Sequence, residues 1–245
     1  MKTKIHLIMP MAGKGSRFSD KGFDFPKPLI EINEKPFFYW STRSIEKFVE
    51  VLDITFVVLQ EHVTEHSIDF EIRKYYPEAN IIVIPEVLNG AVLTCMDGIR
   101  DITDNAPILF NDCDHMFRCK KFEEYLHGSE QLDGALLTFW SDENKYSFLR
   151  FDEQGNVTET VEKQVISNDA ICGCYYFKNR KVFEDAAKVY LTECEYQEFF
   201  VSGVYNVMAK KGQVIKAFQT DFHIPYGVPQ EYEEAKSSNK FEELL

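Results

Sequence analysis

Scarcity narrows this sequence quickly. Cysteine occurs six times in 245 residues, at positions 95, 113, 119, 172, 174 and 194, with no Cys-x-x-Cys pair and no cluster of histidines. That pattern argues against a zinc centre and a disulfide framework, and fits the reduced thiols of a cytoplasmic chain. Positive charge is in deficit: 27 Lys and Arg face 40 Asp and Glu, a formal net charge of −13. Such a surface repels phosphate polymers, so no nucleic-acid partner is expected, and a small anion needs a local basic site. Long apolar runs are missing too. The run behind the basic opening of the chain is too short for a secretory signal and none is long enough to cross a bilayer, so no membrane partner is expected. There are no repeats or low-complexity tracts, and a hydrophobic content of 44% excludes disorder. The length suits one large α/β unit with a sizeable core.

Against that background the N-terminal stretch stands out. Residues 5–9 are an apolar run that predicts a buried first strand. The run passes into Met9-Pro10-Met11-Ala12-Gly13-Lys14-Gly15-Ser16-Arg17-Phe18, and Phe25-Pro26-Lys27-Pro28-Leu29-Ile30 follows shortly after. Gly13 and Gly15 permit positive φ and close approach, so successive backbone N–H groups can converge on anionic oxygens. Lys14, Arg17 and Lys27 add charge, Arg17 as a planar fork and Lys27 as a point charge on a backbone stiffened by two prolines. Together they describe a triphosphate cradle at the end of a strand. The spacing is neither that of a Walker loop nor Gly-x-Gly-x-x-Gly, so P-loop hydrolysis and a dinucleotide fingerprint are both unsupported.

Along the first half, strands are expected over 53–59, 80–84 and 107–111, a short extended segment over 30–32, and helices from Pro36 onward, over 62–75 and over 90–102. This alternation implies a largely parallel sheet with helices on both faces. From residue 133 the pattern turns to strands over 135–140, 147–151, 157–162 and 170–177, with a hairpin turn at 152–156. Helices over 179–191 and 197–211 and a strand over 213–219 complete the reading. Cys172 and Cys174 would share one strand face.

Phe110-Asn111-Asp112-Cys113-Asp114-His115 follows the fourth strand, so its carboxylates lie at the edge where open α/β sheets bind ligands. Hard carboxylate oxygens suit Mg²⁺, which takes one or two carboxylates together with phosphate oxygens and water. The competing use of such aspartates is to cap the next helix.

The first loop resembles the signature of the nucleotidyltransferases, the nucleotide-sugar pyrophosphorylases, which reads roughly Ala-Gly-x-Gly-x-Arg and then Pro-Lys-Pro-Leu. The resemblance implies a single domain over 1–245, a Rossmann-like three-layer α/β/α unit with a mixed, mainly parallel sheet of the GT-A-like nucleotidyltransferase type. Residues 1–130 would be its nucleotide-binding half and residues 131–245 its acceptor-binding half. It assigns Met11, Ala12, Gly13, Lys14, Gly15 and Ser16, with Glu86, Asn89 and Gly90 from a second turn, to the nucleoside triphosphate. Arg17 and Lys27 become catalytic cations, and Asp114, with Asp112 as the alternative, the magnesium ligand. Glu162, Lys163 and Gly173 face a phosphorylated small-molecule acceptor.

Two departures stand out. Pro225 falls where the family carries a second metal-binding aspartate, leaving Asp221, His223 or a single-aspartate site as alternatives, and Tyr146-Ser147 replaces Tyr-Gly beside the sugar. The spelling is also similar to members of capsule and surface-polysaccharide synthesis, some of which use CTP and unusual acceptors such as phosphoglutamine. The implied reaction is transfer of a nucleotidyl group with release of pyrophosphate, CTP being favoured. The rivals are an Asp-x-Asp glycosyltransferase and a non-catalytic nucleotide-binding regulator. Acceptor identity and association into a homo-oligomer stay open.

Overall fold

The computed structural model describes residues 3–245. β1 (Lys4–Pro10) enters the core directly, and its side chains alternate: Ile5, Leu7 and Met9 face one layer of helices while Ile8 faces the other. It is followed by a single helical turn, α1 (Ser16–Ser19), and by a tight 3₁₀ turn over Lys27–Leu29. The two-residue strands β2 (Glu31–Ile32) and β3 (Lys35–Pro36) then lead into α2 (Phe37–Glu46), with Pro36 at the N-cap. Next come β4 (Glu50–Leu59), α3 (Gln60–His66), α4 (Ile68–Tyr75), β5 (Asn80–Ile84), α5 (Ala91–Gly98) and β6 (Ile108–Asn111). The helix expected over 62–75 is thus broken, because Ser67 takes a left-handed conformation with φ 51°.

The second half carries β7 (His115–Arg118), α6 (Lys120–His127), β8 (Gly134–Trp140), β9 (Ser147–Phe151), β10 (Val157–Glu162) and β11 (Asp169–Phe177). It closes with α7 (Arg180–Glu193), α8 (Val201–Lys210), β12 (Ile215–Gln219), β13 (Phe222–Pro225) and α9 (Pro229–Ala235). The sheet runs β10-β9-β11-β6-β1-β4-β5, with β8 and β12 extending from β11. It is parallel through β6, β1, β4 and β5, while β11 joins antiparallel to β6, β8 and β9. The helix expected to start at 197 begins at Val201, and 194–200 is a loop.

Three apolar clusters hold the layers. One gathers α5, α7 and α8 on one face around Ile8, Val57, Val92, Phe110, Phe183 and Tyr205. The second packs α2, α4 and α6 on the other around Leu7, Phe38, Phe56, Ile72, Phe122 and Cys174. Cys172 joins Cys174 in that layer, as the alternation implies. The third cluster positions the site. Phe18, Ile30, Phe37, Trp40, Tyr226 and Phe241 bury together, and so pin both ends of the segment that carries Arg17 and Lys27.

Candidate active site

The loops that leave β1, β5 and β6 meet at the C-terminal edge of the parallel strands, the usual ligand edge of such a sheet. Between the first two lies a pocket of about 650 Å³, lined by Ala12, Gly13, Lys14, Gly15 and Ser16 on one side and Asn89, Gly90, Thr94 and Glu198 on the other. A Cβ at Gly13 would meet no protein atom within 4 Å, so that backbone is open to a ligand. The left-handed glycine of the loop is Gly15, with φ 63°, and Gly13 is not among the positive-φ residues. Gly90 is required more strictly. Its φ is 100°, and a Cβ there would lie 2.3 Å from the Phe199 nitrogen, because loop 194–200 docks against the turn through Phe199 N–H to the Asn89 carbonyl at 3.3 Å. Met11 is buried in the second apolar cluster and turns its side chain away from this pocket. Glu86 is exposed and lies outside the residues that line it.

Beside this pocket is a smaller one, about 180 Å³, where Arg17, Asp112, Asp114, Gly173, Lys145, Tyr146, Ser147, His223 and Glu231 meet. Asp112 is held from β11: its N–H donates to the Gly173 carbonyl at 2.9 Å, and Gly173, φ 87°, sits at the bulge that separates Ile171 from Tyr175 in the register with β8. A Cβ at Gly173 would lie 2.6 Å from Asp112 Oδ2, so the glycine makes room for the carboxylate. Lys27 Nζ donates to Asp114 Oδ2 at 2.7 Å. Burial opposes ionisation of both aspartates, but their fates differ. The Asp112 carboxyl is pushed up to about 7 by burial and by the neighbouring Asp114. For Asp114 the Lys27 ammonium outweighs burial and holds it below the usual carboxylate range.

The remaining candidates, Glu162 and Lys163, line neither pocket. Glu162, at the end of β10, accepts from the hydroxyls of both Ser147 and Ser202 at its Oε1. Lys163, with φ 53°, turns away, and its ammonium stands 5.1 Å over the Phe200 ring. Glu162 and Lys163 are adjacent in sequence yet point to different surroundings. Of the stand-ins for a second metal-binding aspartate, Asp221 is engaged elsewhere, its Oδ2 accepting from the Lys120 N–H at 2.8 Å at the start of α6. His223 Nε2 lies 3.2 Å from His115 Nδ1, and His115 Nε2 lies 3.1 Å from Asn111 Oδ1. Burial pushes His115 down to about 4 and holds His223 well below its ordinary range.

Two residues that sequence reasoning passed over complete the pocket. Glu231, on α9, is buried and accepts from the Gly227 N–H at 3.0 Å, the Tyr146 hydroxyl at 2.9 Å and Lys145 Nζ at 2.8 Å. Lys145 also pairs with Glu143 at 2.8 Å, and those two carboxylates outweigh burial and keep its ammonium charged. The signal for Glu231 was its place four residues after Gly227, where a helical turn returns the side chain to the glycine nitrogen. Nothing in the local spacing marks Lys145.

Comparison with known proteins meets this geometry. The family described as nucleotidyl transferase matches residues 6–237. The chain belongs to the nucleotidyl transferase family. This nucleotidyltransferase is 24% identical over 230 residues to the D-glycero-alpha-D-manno-heptose 1-phosphate guanylyltransferase of Campylobacter jejuni, which covers 92% of this chain and 96% of that one. It is 25% identical over 188 residues to a probable mannose-1-phosphate guanyltransferase of Schizosaccharomyces pombe, covering 72% of this chain but only 45% of that longer relative. In fold it is similar to the nucleoside-diphosphate-sugar pyrophosphorylase of Vibrio cholerae RC9 (TM-score 0.81, 22% identity, 95% of this chain and 100% of that one). It is similar as well to the inositol-1-phosphate CTP transferase of T. maritima (TM-score 0.73, 13% identity, 100% of this chain and 95% of that one).

Proposed function

We propose that this nucleotidyltransferase moves a nucleoside monophosphate from a nucleoside triphosphate to the phosphate of a small acceptor and releases pyrophosphate. The observation that carries this reading is the wall shared by the two pockets. Ser16 lines the larger pocket and Arg17, the next residue, lines the smaller. Lys27 packs against Gly15 of the first and donates to Asp114 of the second. An acceptor phosphate oxygen attacks the α-phosphorus, a new phosphoanhydride bond forms, and the bond between the α- and β-phosphates breaks with its electron pair leaving on pyrophosphate. A phosphate nucleophile needs no proton removed, so catalysis reduces to alignment and charge stabilisation. Arg17 and Lys27 supply the cations, and the backbone of 13–16 supplies the cradle.

Asp112 and Asp114 fit a magnesium ion. They offer hard oxygen donors, and Lys27 Nζ, 2.7 Å from Asp114 Oδ2, already stands as a cation on that carboxylate. Among the described residues no group of three or more His, Cys, Asp or Glu stands ready for a metal, so phosphate oxygens and water would complete the shell. When bound, Mg²⁺ supplies charge neutralisation between the phosphates.

The spelling of the loop favours CTP, and with it a cytoplasmic role in making capsule or surface-polysaccharide precursors, the acceptor being a sugar phosphate or an unusual one such as phosphoglutamine. A second reading, GTP, is favoured by the guanylyltransferase of C. jejuni, which aligns along nearly the whole chain. Pyrophosphate release with Mg²⁺ tests both, with CTP, UTP, dTTP, GTP and ATP set against phosphorylated sugars, polyols and amino acids. Release that needs one triphosphate and one acceptor is the expected outcome. Binding of a triphosphate without release across the panel overturns it in favour of a nucleotide-binding regulator.

A further inference from the structure

The Lys27 ammonium lies 2.7 Å from Asp114 Oδ2, where that carboxylate would hold a cation. The two ends of this contact differ in freedom. The Asp114 side is fixed: the Tyr226 N–H donates to the Asp114 carbonyl at 2.9 Å, and a Cβ at Gly227 would lie 2.6 Å from Asp114 Oδ2. The Lys27 backbone is equally fixed. A Cβ at Gly15 would stand 3.0 Å from Lys27 Cβ, and the turn is closed by Leu29 N–H to the Pro26 carbonyl at 2.8 Å. What is not held by the backbone is the four-carbon stem of the lysine, which runs from beneath Gly15 to its ammonium at Asp114 in the neighbouring pocket.

We propose that Lys27 is a displaceable internal counter-ion. In the free enzyme its ammonium holds the cation position at Asp114, and it gives that position up to the divalent metal when a triphosphate enters the adjoining pocket. The proposal rests on reading Asp114 as a metal ligand. A divalent ion arriving at Asp114 while the ammonium stays would bring like charges together at close range, which is unfavourable in a partly dry site. The ammonium moves without loss only if another anion receives it, and the triphosphate bound against Gly15 is that anion. Metal and nucleotide therefore bind with positive coupling through one side chain.

Manganese binding to the full-length protein without nucleotide, followed by the electron paramagnetic resonance of the free ion, tests this apart from turnover. The wild type is expected to bind manganese weakly, and Lys27→Met at least about tenfold more tightly, because the competing charge is gone. Lys27→Gln removes the same charge with a polar end, and gives a second measurement should the methionine variant fail to fold. Adding Asp114→Asn to either variant should erase the gain. Manganese affinity that is unchanged or weaker in the lysine variants overturns the proposal. If the double variants keep the gain in full, the metal-ligand reading of Asp114 itself falls.

Discussion

The two pockets are built from different materials. The larger is a backbone site: Gly13 to Ser16 and Asn89 to Gly90 line it from two short glycine-containing turns. The smaller is a side-chain site, in which Arg17, Asp114, Tyr146, Tyr175, His223 and Glu231 arrive from six separate stretches of chain. A backbone site is specified by where glycine and proline fall, so it leaves a compact trace in sequence. A side-chain site is specified by packing over long separations, and the same residues in sequence look like ordinary surface. On the proposed function, the nucleotide end is the one written in a compact motif and the acceptor end is the one written across the chain.

Breaking the junction between the pockets should have the largest effect. Lys27→Ala is expected to lower kcat by about 10³-fold or more while the circular dichroism spectrum is retained, since it removes a cation from where charge develops. A rate within tenfold of wild type would remove Lys27 from the mechanism. Asp114→Asn should cost roughly 10²- to 10³-fold and shift the magnesium requirement upward. If Asp112→Asn does this and Asp114→Asn does not, the ligand assignment moves by two residues.

Gly90→Ala probes the backbone site. The turn holds φ 100° and the added methyl meets the Phe199 backbone at 2.3 Å, so loop 194–200 must give way. A loss of about 2–4 kcal/mol in unfolding free energy is expected, with a raised KM for the triphosphate. Glu231→Gln probes the side-chain site instead. It loosens the contacts to Lys145 and Tyr146 and should raise KM for the acceptor about tenfold with KM for the triphosphate unchanged. If both Michaelis constants moved together in either variant, the division between the pockets would fail.

Much of this contrast was readable before the structure. The order of β1, β4, β5 and β6 and their alternation with helices follow from apolar runs punctuated by glycine and proline; β1 and β6 are buried on both faces, while β5, at the end of the sheet, leaves Val83 exposed. The loop motif placed Gly15, Arg17 and Lys27 where they stand. What escaped was short and non-local. β7 and β13 are four residues each and pair with each other outside the main sheet, Pro225 opposite His115, so neither carries a periodicity long enough to detect. α6 and α9 escaped as well. Ser147, where the family carries glycine, holds Glu162 through its hydroxyl, and the two stand opposite each other in the hairpin of β9 and β10.

The smallest predicted effect sharpens the comparison from the opposite edge of the sheet, where neither pocket reaches. His6 is nearly buried at the side of a cleft of about 630 Å³. Its Nδ1 stands 2.9 Å from Asp53 and its Nε2 3.0 Å from Asp104, so both contacts are attractive only when both nitrogens carry protons. The hydrogen bond to Asp53 outweighs burial and, with Asp104, raises the imidazole above its ordinary 6.5, with Arg73, Arg100 and Asp101 lining the same cleft. A raised value in the folded state means the stabilisation is fully present below pH 6.5 and is lost as pH rises through the folded value. Both carboxylates are partly exposed, which limits the gain to about 1 kcal/mol. His6→Gln should therefore lower Tm at pH 5.5 and converge on the wild type at pH 9, with both Michaelis constants unchanged. A Tm difference independent of pH would show that packing, not charge, holds this edge. A shift in either KM would show that the two edges of the sheet are coupled, and the ligand pockets would then have to be treated as parts of one responsive sheet.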